Sequence, residues 1–571
     1  MKPAWIDAYP PGVPARIDAR AFSSLKHLVE ASCARFSNHA AFSSMGARMS
    51  YRQLDRLSRS FAAYLQKGCG LARGARVAIM MPNLLQYPVA LFGALRAGLT
   101  VVNVNPLYTA DEVAHQLRDS GAAAIVILEN FAHTLESALP NTVVRSVIVT
   151  RVGDLLPPPK RIAVNFAVKY LKRLVPYWSI RNAVRFQAAL ARGERLALDP
   201  VPVGPEDLAF LQYTGGTTGR PKGAMLTHGN LVANVEQTAA WIRVRLHEGE
   251  ETVITALPLY HVFALTANLL VFVKLGGCNA LIANPRDIPG FIAALKRTRF
   301  TAITGVDTLY NALLDAKGFA AVRQANGDAL KVAVAGGMSV RRAVAERWQE
   351  ATGVPLIEGY GLTEASPIVC ANRLDIRGYT GRIGFPVPST EVAILDEHGA
   401  ELPTGATGEI GVRGPQVMRG YWNAPEETAA AFTPDGWLRT GDLGRMDAQG
   451  AVEFVDRIKD MIVVSGFKAY PAEIEDVAVQ HPGVKDAGAV GVPDEHSGEA
   501  VALFVVRRDP SLTARDVLDH CAKHLTRYKR PKHVAFRDAL PKTPIGKVLR
   551  RQLRDELAAS QAAHETADER E

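Results

Sequence analysis

Apolar positions along the chain change their spacing in a regular way. Between Ser50 and about Thr150, short apolar runs such as RVAIMM (76–81), TVVNVN (100–105) and AAAIVIL (122–128) alternate with longer stretches of helical periodicity. SYRQLDRLSRSFAAYLQ (50–66) opens on a serine suited to capping, and PNLLQYPVALFGALRAG (82–98) closes on a glycine. Strands alternating with helices of about a dozen residues predict βαβ units around a buried parallel sheet. The alternation resumes after Glu250 with TVITALP, NALIA, DIPGFIAALKRTR, TAITGV and KVAVAGG. From about Ile383 it gives way to short strands broken by Gly, Pro and Asp, which predicts a small antiparallel subdomain. Beyond Arg457, IVVSG, AEIEDVAVQHPG, VKDAGAVGVPD, AVALFVVRR and TARDVLDHCAKHL outline an α+β unit of about 100 residues. The expected fold is therefore mixed α/β: an N-terminal domain over 1–456 built of βαβ-type sheets plus a small β subdomain, a small α+β domain over 457–557, and a disordered tail over 558–571.

Composition narrows the class. With 571 residues, 48% hydrophobic and 22% charged, the chain can fill more than one core. Its five cysteines are scattered and form no C-x-x-C pair, so neither a disulfide framework nor a structural zinc site is readable. The first residues carry no apolar leader core, and a reducing cytoplasmic setting is expected. The apolar run 256–273 holds Pro258 and His261 and is followed by Lys274, so it reads as core and not as a membrane span. The net charge of +9 is concentrated in two places. Nine Lys/Arg face one acid between Lys160 and Arg195, and ten face one acid between Lys523 and Arg551. The remainder of the chain is net acidic.

The sharpest chemical signal is YTGGTTGRPKGAMLTH (213–228). Four glycines, three threonines and two cations fall between Thr214 and Gly223. Glycines let backbone N–H groups turn toward an anion, and threonine hydroxyls add donors. Lys222 adds a point charge, so the segment suits a polyphosphate. It is not a Walker A loop, because proline precedes the lysine and glycine follows it. EGYGLTE (358–364) begins like a dinucleotide fingerprint, but Glu364 stands where the third glycine would be.

With GWLRTGD (436–442), DRIKDMIVVSGFKAYPAEIE (456–475) and PKTPIGKVLRR (541–551), these strings occur in the order found in adenylate-forming enzymes. The chain resembles that superfamily, which spans acyl-CoA synthetases, luciferases and peptide adenylation domains. The resemblance implies ATP, Mg²⁺ and CoA chemistry. It places Thr214, Gly215, Gly216, Thr217, Thr218, Gly219 and Lys222 on the ATP phosphates, Gly336 and Gly337 along adenine, and Gly359, Tyr360, Gly361 and Thr363 around adenine and phosphate. It makes Glu364 the Mg²⁺ ligand, Asp442 and Arg457 the ribose-binding pair, and Lys547 the cation that bridges carboxylate and α-phosphate. Thr214, Glu364 and Lys547 are the catalytic expectations. It also implies a mobile C-terminal domain that turns about Lys459, exchanging the Lys547 face for one carrying Gly466 on the CoA side.

The wall LPLYHVFALTANLLVFVKL (257–275) contains no acid to pair with a substrate amine, which favours a simple carboxylic acid with an apolar tail. That wall, together with WIDAYPPGVPARID, TAITGVDTLYNALL and IGFPVPSTE, is similar to bacterial long-chain fatty acyl-CoA synthetases. Arg439 and Ile458 depart from that group's usual histidine and lysine. Rival members of the scaffold remain: a synthetase for medium-chain or aryl acids, a luciferase-like oxygenase, or a non-catalytic nucleotide- or lipid-binding relative. The basic segment 160–195 interleaves cations with Phe, Tyr, Leu and Trp178 and is expected to touch an anionic membrane as a peripheral helix cut by Pro176. Its alternative is a solvated basic hairpin. The C-terminal basic patch is expected to steer ATP and CoA. Neither patch belongs to a nucleic-acid motif, so no nucleic-acid partner is expected. A homodimer is a further expectation.

Overall fold

The structure, a computed structural model, describes residues 3–214, 221–494, 496–543 and 546–557. Gly215, Gly216, Thr217, Thr218 and Gly219 of the glycine-rich loop, and the tail 558–571, lie outside the described residues. Among the described residues the strands form four sheets of seven, nine, four and five members.

The seven-stranded sheet comes from the first periodic region. Arg76–Met80 lies at its centre, parallel to Thr100–Asn103 on one side and Ala124–Leu128 on the other. These strands are buried along nearly their whole length, which is why their sequences are continuous apolar runs without alternation. Leu208–Thr214 extends the sheet and folds back antiparallel as Lys222–Thr227, so that Thr214 and Lys222 are register partners at the mouth of the glycine-rich loop. Thr227 then caps the helix His228–Ile242 through a reciprocal bond with Asn230. That helix is buried on almost every side, which accounts for its apolar content.

The nine-stranded sheet has the parallel strands Thr252–Thr255, Ala302–Gly305, Val332–Gly336 and Leu356–Gly361, followed by the antiparallel Ile368–Ala371. All four parallel strands end toward the same edge, where open α/β sheets bind ligands. The four-stranded antiparallel sheet starts at Glu391, a little later than the change of texture at Ile383 suggests, because Phe385–Pro386 still pairs with the large sheet. Its last strand, Val452–Arg457, leads through the turn Ile458–Asp460 into the five-stranded sheet. There the long hairpin Val484–Asp494/Gly498–Arg507 is joined in parallel by His533–Arg537, a strand the sequence pattern did not reveal.

Two expectations about charge change here. The segment 160–195 is not one amphipathic unit. A helix runs from Pro158 to Phe166 and continues as a wider turn to Leu171, ending at Arg173, which has a positive φ, well before Pro176. Val184–Arg185 then joins the seven-stranded sheet, and Phe186–Gly193 packs Phe186 and Ala189 into the core. The C-terminal basic patch is partly neutralised. Lys529 pairs with Glu473, Lys532 with Asp494, Lys542 with Asp486, and Arg550 with Glu475 and Asp460. All these acids precede Lys523 in the chain, so the excess within 523–551 exceeds the charge left unpaired at the surface. Among the described residues no helix is long and apolar enough to cross a membrane.

Candidate active site

The strand ends of the nine-stranded sheet, the glycine-rich hairpin and the first turn after the four-stranded sheet surround one cavity of about 1050 Å³. Gly336 sits at its inner wall, where a Cβ would lie 2.8 Å from the carbonyl oxygen of Gly359 on the neighbouring strand. A side chain there would push the strand ends apart, so AVAGG must end in glycine for the edge to close over a flat ligand.

Glu364 follows the strand Leu356–Gly361 on the short turn Thr363–Ala365. Its Oε1 accepts a hydrogen bond of 2.8 Å from the Tyr421 hydroxyl, while its own carbonyl accepts from Met418 N at 2.7 Å. Burial raises the pKa of the Glu364 carboxyl, and the Tyr421 hydroxyl opposes that rise by stabilising the anion. The Lys222 ammonium lies 5.6 Å over the Tyr421 ring and 3.6 Å from Glu427. Sequence reading did not single out Tyr421. Its signal was the aromatic pair in RGYWN, which means little until the fold brings it to Glu364.

Asp442 and Arg457 are cross-strand neighbours in the four-stranded sheet, with Nε 3.4 Å from Oδ1. Asp442 Oδ2 accepts from the Tyr360 hydroxyl at 2.7 Å, so the flat ring of Tyr360 and the carboxylate are set by one bond. Arg439, on the same strand, braces it. Its Nη1 lies 2.8 Å from Glu409 Oε2, while Glu409 Oε1 accepts from Gly441 N at 2.9 Å. Arg439 therefore holds the irregular strand segment Thr440–Asp442 from behind.

The C-terminal unit contributes Lys547 to the same cavity. Thr543 and Lys547 hold their loop closed by two hydrogen bonds, Thr543 N to Lys547 O and Lys547 N to Thr543 Oγ1. Gly546 in that loop has φ +85° and meets Thr308 of the helix Asp307–Leu314 so closely that any Cβ would overlap its hydroxyl. Removal from water pushes the Lys547 pKa down to about 7, and the positive charges of Arg457 and Lys459 push the same way against Asp442. His261 also lines the cavity. Burial, with the charge of Lys547, lowers its pKa to about 4 and keeps it neutral.

The cavity thus gathers Thr214, Lys222, Gly336, Gly337, Gly359, Tyr360, Gly361, Thr363, Glu364, Asp442, Arg457, Lys459 and Lys547. Gly466 is not among its lining residues. It stands at the tip of the hairpin Ile462–Val464/Phe467–Ala469, next to the exposed Phe467, which stacks on Tyr528 at 5.1 Å. Away from the polar end, the cavity runs as an apolar arm between the helix His228–Ile242 and the strands Ala302–Gly305, Val332–Gly336 and Leu356–Gly361.

Residues 29–422 match the AMP-binding enzyme family, and residues 473–547 match the AMP-binding enzyme C-terminal domain. The chain belongs to the AMP-binding enzyme family. This AMP-binding enzyme is 56% identical over 556 residues to a long-chain-fatty-acid–CoA ligase of Escherichia coli O6:H1, covering 97% of this chain and 98% of the relative. It is 38% identical to the long-chain-fatty-acid–CoA ligase of Bacillus subtilis, covering 97% and 98%. Among solved structures, a benzoate CoA ligase from Burkholderia xenovorans LB400 superposes with a TM-score of 0.80 at 26% identity, covering 93% of this chain and 100% of that one. The large N-terminal and small C-terminal architecture is therefore that of adenylate-forming CoA ligases.

Proposed function

We infer that the chain is an AMP-forming long-chain fatty acid–CoA ligase. The observation that carries this reading is one cavity with a cationic, carboxylate-edged mouth and a long apolar arm. The 56% identity to a ligase of that name, over nearly the full length of both chains, points to the same substrate class. A fatty acid is ionised near neutral pH and needs no general base. Its carboxylate oxygen bonds to the α-phosphorus of ATP as the bond to the bridging oxygen breaks and pyrophosphate leaves. The thiol of CoA then attacks the acyl carbonyl, and AMP leaves.

The barrier in the first step is repulsion between anions and charge on the phosphoryl oxygens. Lys547 and Lys222 act there as positioned cations. Asp442 has lone pairs left for the ribose hydroxyls after serving Tyr360 and Arg457. Thr214 and Thr363 offer hydroxyl donors to phosphate. A magnesium ion fits Glu364: the donor is a hard carboxylate oxygen on the cavity wall, and the Tyr421 hydroxyl favours its anionic form against the effect of burial. Among the described residues no group of three metal-ligating side chains gathers. A cation held mostly by phosphate oxygens and water, with one protein carboxylate, suits that donor set. When bound, it would offset charge on the phosphates.

The structure has the Lys547 face turned inward and Gly466 outside, the arrangement suited to adenylation. Residues 457–557 form the unit we take to turn about Lys459 for the second step, which would bring Gly466 to the acyl carbonyl.

The reading is tested by thioester formation from saturated fatty acids of increasing length, with benzoate alongside. Rates should rise into the long-chain range and be negligible on benzoate. Preference for benzoate would overturn it.

The membrane expectation gains a defined surface. Ile162, Leu171 and Tyr177 are 67%, 71% and 88% exposed, with Phe166, Tyr170 and Leu174 beside them and Lys160, Arg161, Lys169, Lys172 and Arg173 interleaved. Exposed aromatic and aliphatic side chains ringed by cations fit the interfacial zone of an anionic bilayer. Vesicles containing phosphatidylglycerol should sediment the protein, with binding lost at high salt and in Phe166→Glu/Leu171→Glu. Equal sedimentation by that variant would defeat the assignment.

A further inference from the structure

The apolar arm does not end in a thick wall. It follows the strand Val332–Gly336 from the nucleotide end to its far end, about 13 Å at strand rise. There a second void of about 480 Å³ begins, and the two are lined by adjacent residues of the same chain segments. Leu246 faces the arm, while Arg245 and His247 face the second void. Val332 faces the arm and Lys331 the void, and Leu374 lines both. The partition between them is therefore about one side chain thick.

Leu374 is 7% exposed, on a turn that is pinned on both sides. Arg373 is bonded to Asp375 at 2.6 Å and to the carbonyl of Ala8 at 2.9 Å, and the carbonyl of Asn372 accepts from Trp241 Nε1 at 3.0 Å. These bonds fix the backbone on which the Leu374 side chain stands. The void behind it carries Val244, Leu330 and Ile376 beside Arg245, His247 and Lys331, and Lys331 is bonded to Glu251 at 2.7 Å, so a chain passing a shortened side chain at Leu374 would meet apolar surface there.

We propose that Leu374 is the distal stop of the acyl channel and sets the longest fatty acid accepted, with the second void as the space that longer chains would enter if the stop were shortened. This rests on the ligase reading above. A hydrophobic site discriminates single methylenes by about tenfold or more, so a stop of this kind gives a measurable cutoff.

The test is the ratio of kcat/KM for the first acid beyond the wild-type cutoff to kcat/KM for the best acid, measured within one preparation. A ratio is insensitive to a fraction of unfolded protein. Leu374→Ala should raise the ratio about tenfold or more, and Leu374→Trp should move the cutoff to shorter acids. In Leu374→Ala/Val354→Trp, where the second void is filled from its outer side, the gain should disappear. A cutoff unmoved by both single substitutions, or a gain that survives Val354→Trp, overturns the proposal while leaving the ligase reading intact. No thioester from any fatty acid with the wild-type chain overturns both.

Discussion

Lys547→Ala should lower fatty-acid-dependent ATP–pyrophosphate exchange by about a hundred- to a thousand-fold, the cost of losing one preorganised group that stabilises developing charge. The same variant should still convert supplied acyl-adenylate and CoA to thioester, because that step is assigned to the face carrying Gly466. Retained exchange would remove Lys547 from the first step. The pH dependence adds a second reading. In the unliganded site burial and the nearby cations hold the Lys547 pKa at about 7, so its positive charge is present below that pH and is lost as pH rises through it. Because kcat/KM reports the free enzyme, kcat/KM for adenylation should fall above about pH 7. Lys547→Arg keeps its charge at every accessible pH, so that alkaline limb should vanish even where the overall rate is reduced.

Glu364→Gln should cost about a hundredfold in adenylation and raise the magnesium concentration needed for half-maximal rate. The amide keeps the shape and can still accept from Tyr421, but it carries no charge for a cation. The thioester half-reaction from supplied adenylate should change far less, because no triphosphate is present in that step. Unchanged magnesium dependence would remove Glu364 as a metal ligand. Tyr421→Phe serves as the companion variant. It removes the 2.8 Å hydrogen bond that opposes the upward pKa shift of Glu364, so activity should be lost toward lower pH, where the carboxyl takes up a proton.

Much of this was readable from the chain because the relevant elements announce themselves locally. The strand Arg76–Met80 beyond Arg76, and the strands Ala124–Leu128 and Val332–Gly336, are uninterrupted apolar runs, and Thr227 and Ser50 open capping boxes four residues long. Glu364, Asp442 and Lys547 lie in glycine-punctuated segments, where sequence pattern and site coincide. Contacts between distant segments were not legible. Tyr421 reaches Glu364 across 57 positions, and the acids that neutralise Lys529, Lys532 and Lys542 lie 38 to 56 positions away. The short edge strand His533–Arg537 hides in a basic stretch because only part of each of its faces is covered. The break in the basic segment at Arg173 depends on a backbone turn that the nearby proline does not impose.

The central claim is that this cavity activates a carboxylic acid as an adenylate and then releases it to a thiol. The most direct measurement follows the products of a single turnover with ATP and a long-chain fatty acid, first without CoA and then after its addition. The account predicts pyrophosphate and an enzyme-held acyl-adenylate before CoA, then AMP and acyl-CoA in equal amounts once CoA arrives. Release of ADP and phosphate, or no product at all until CoA is present, would contradict it.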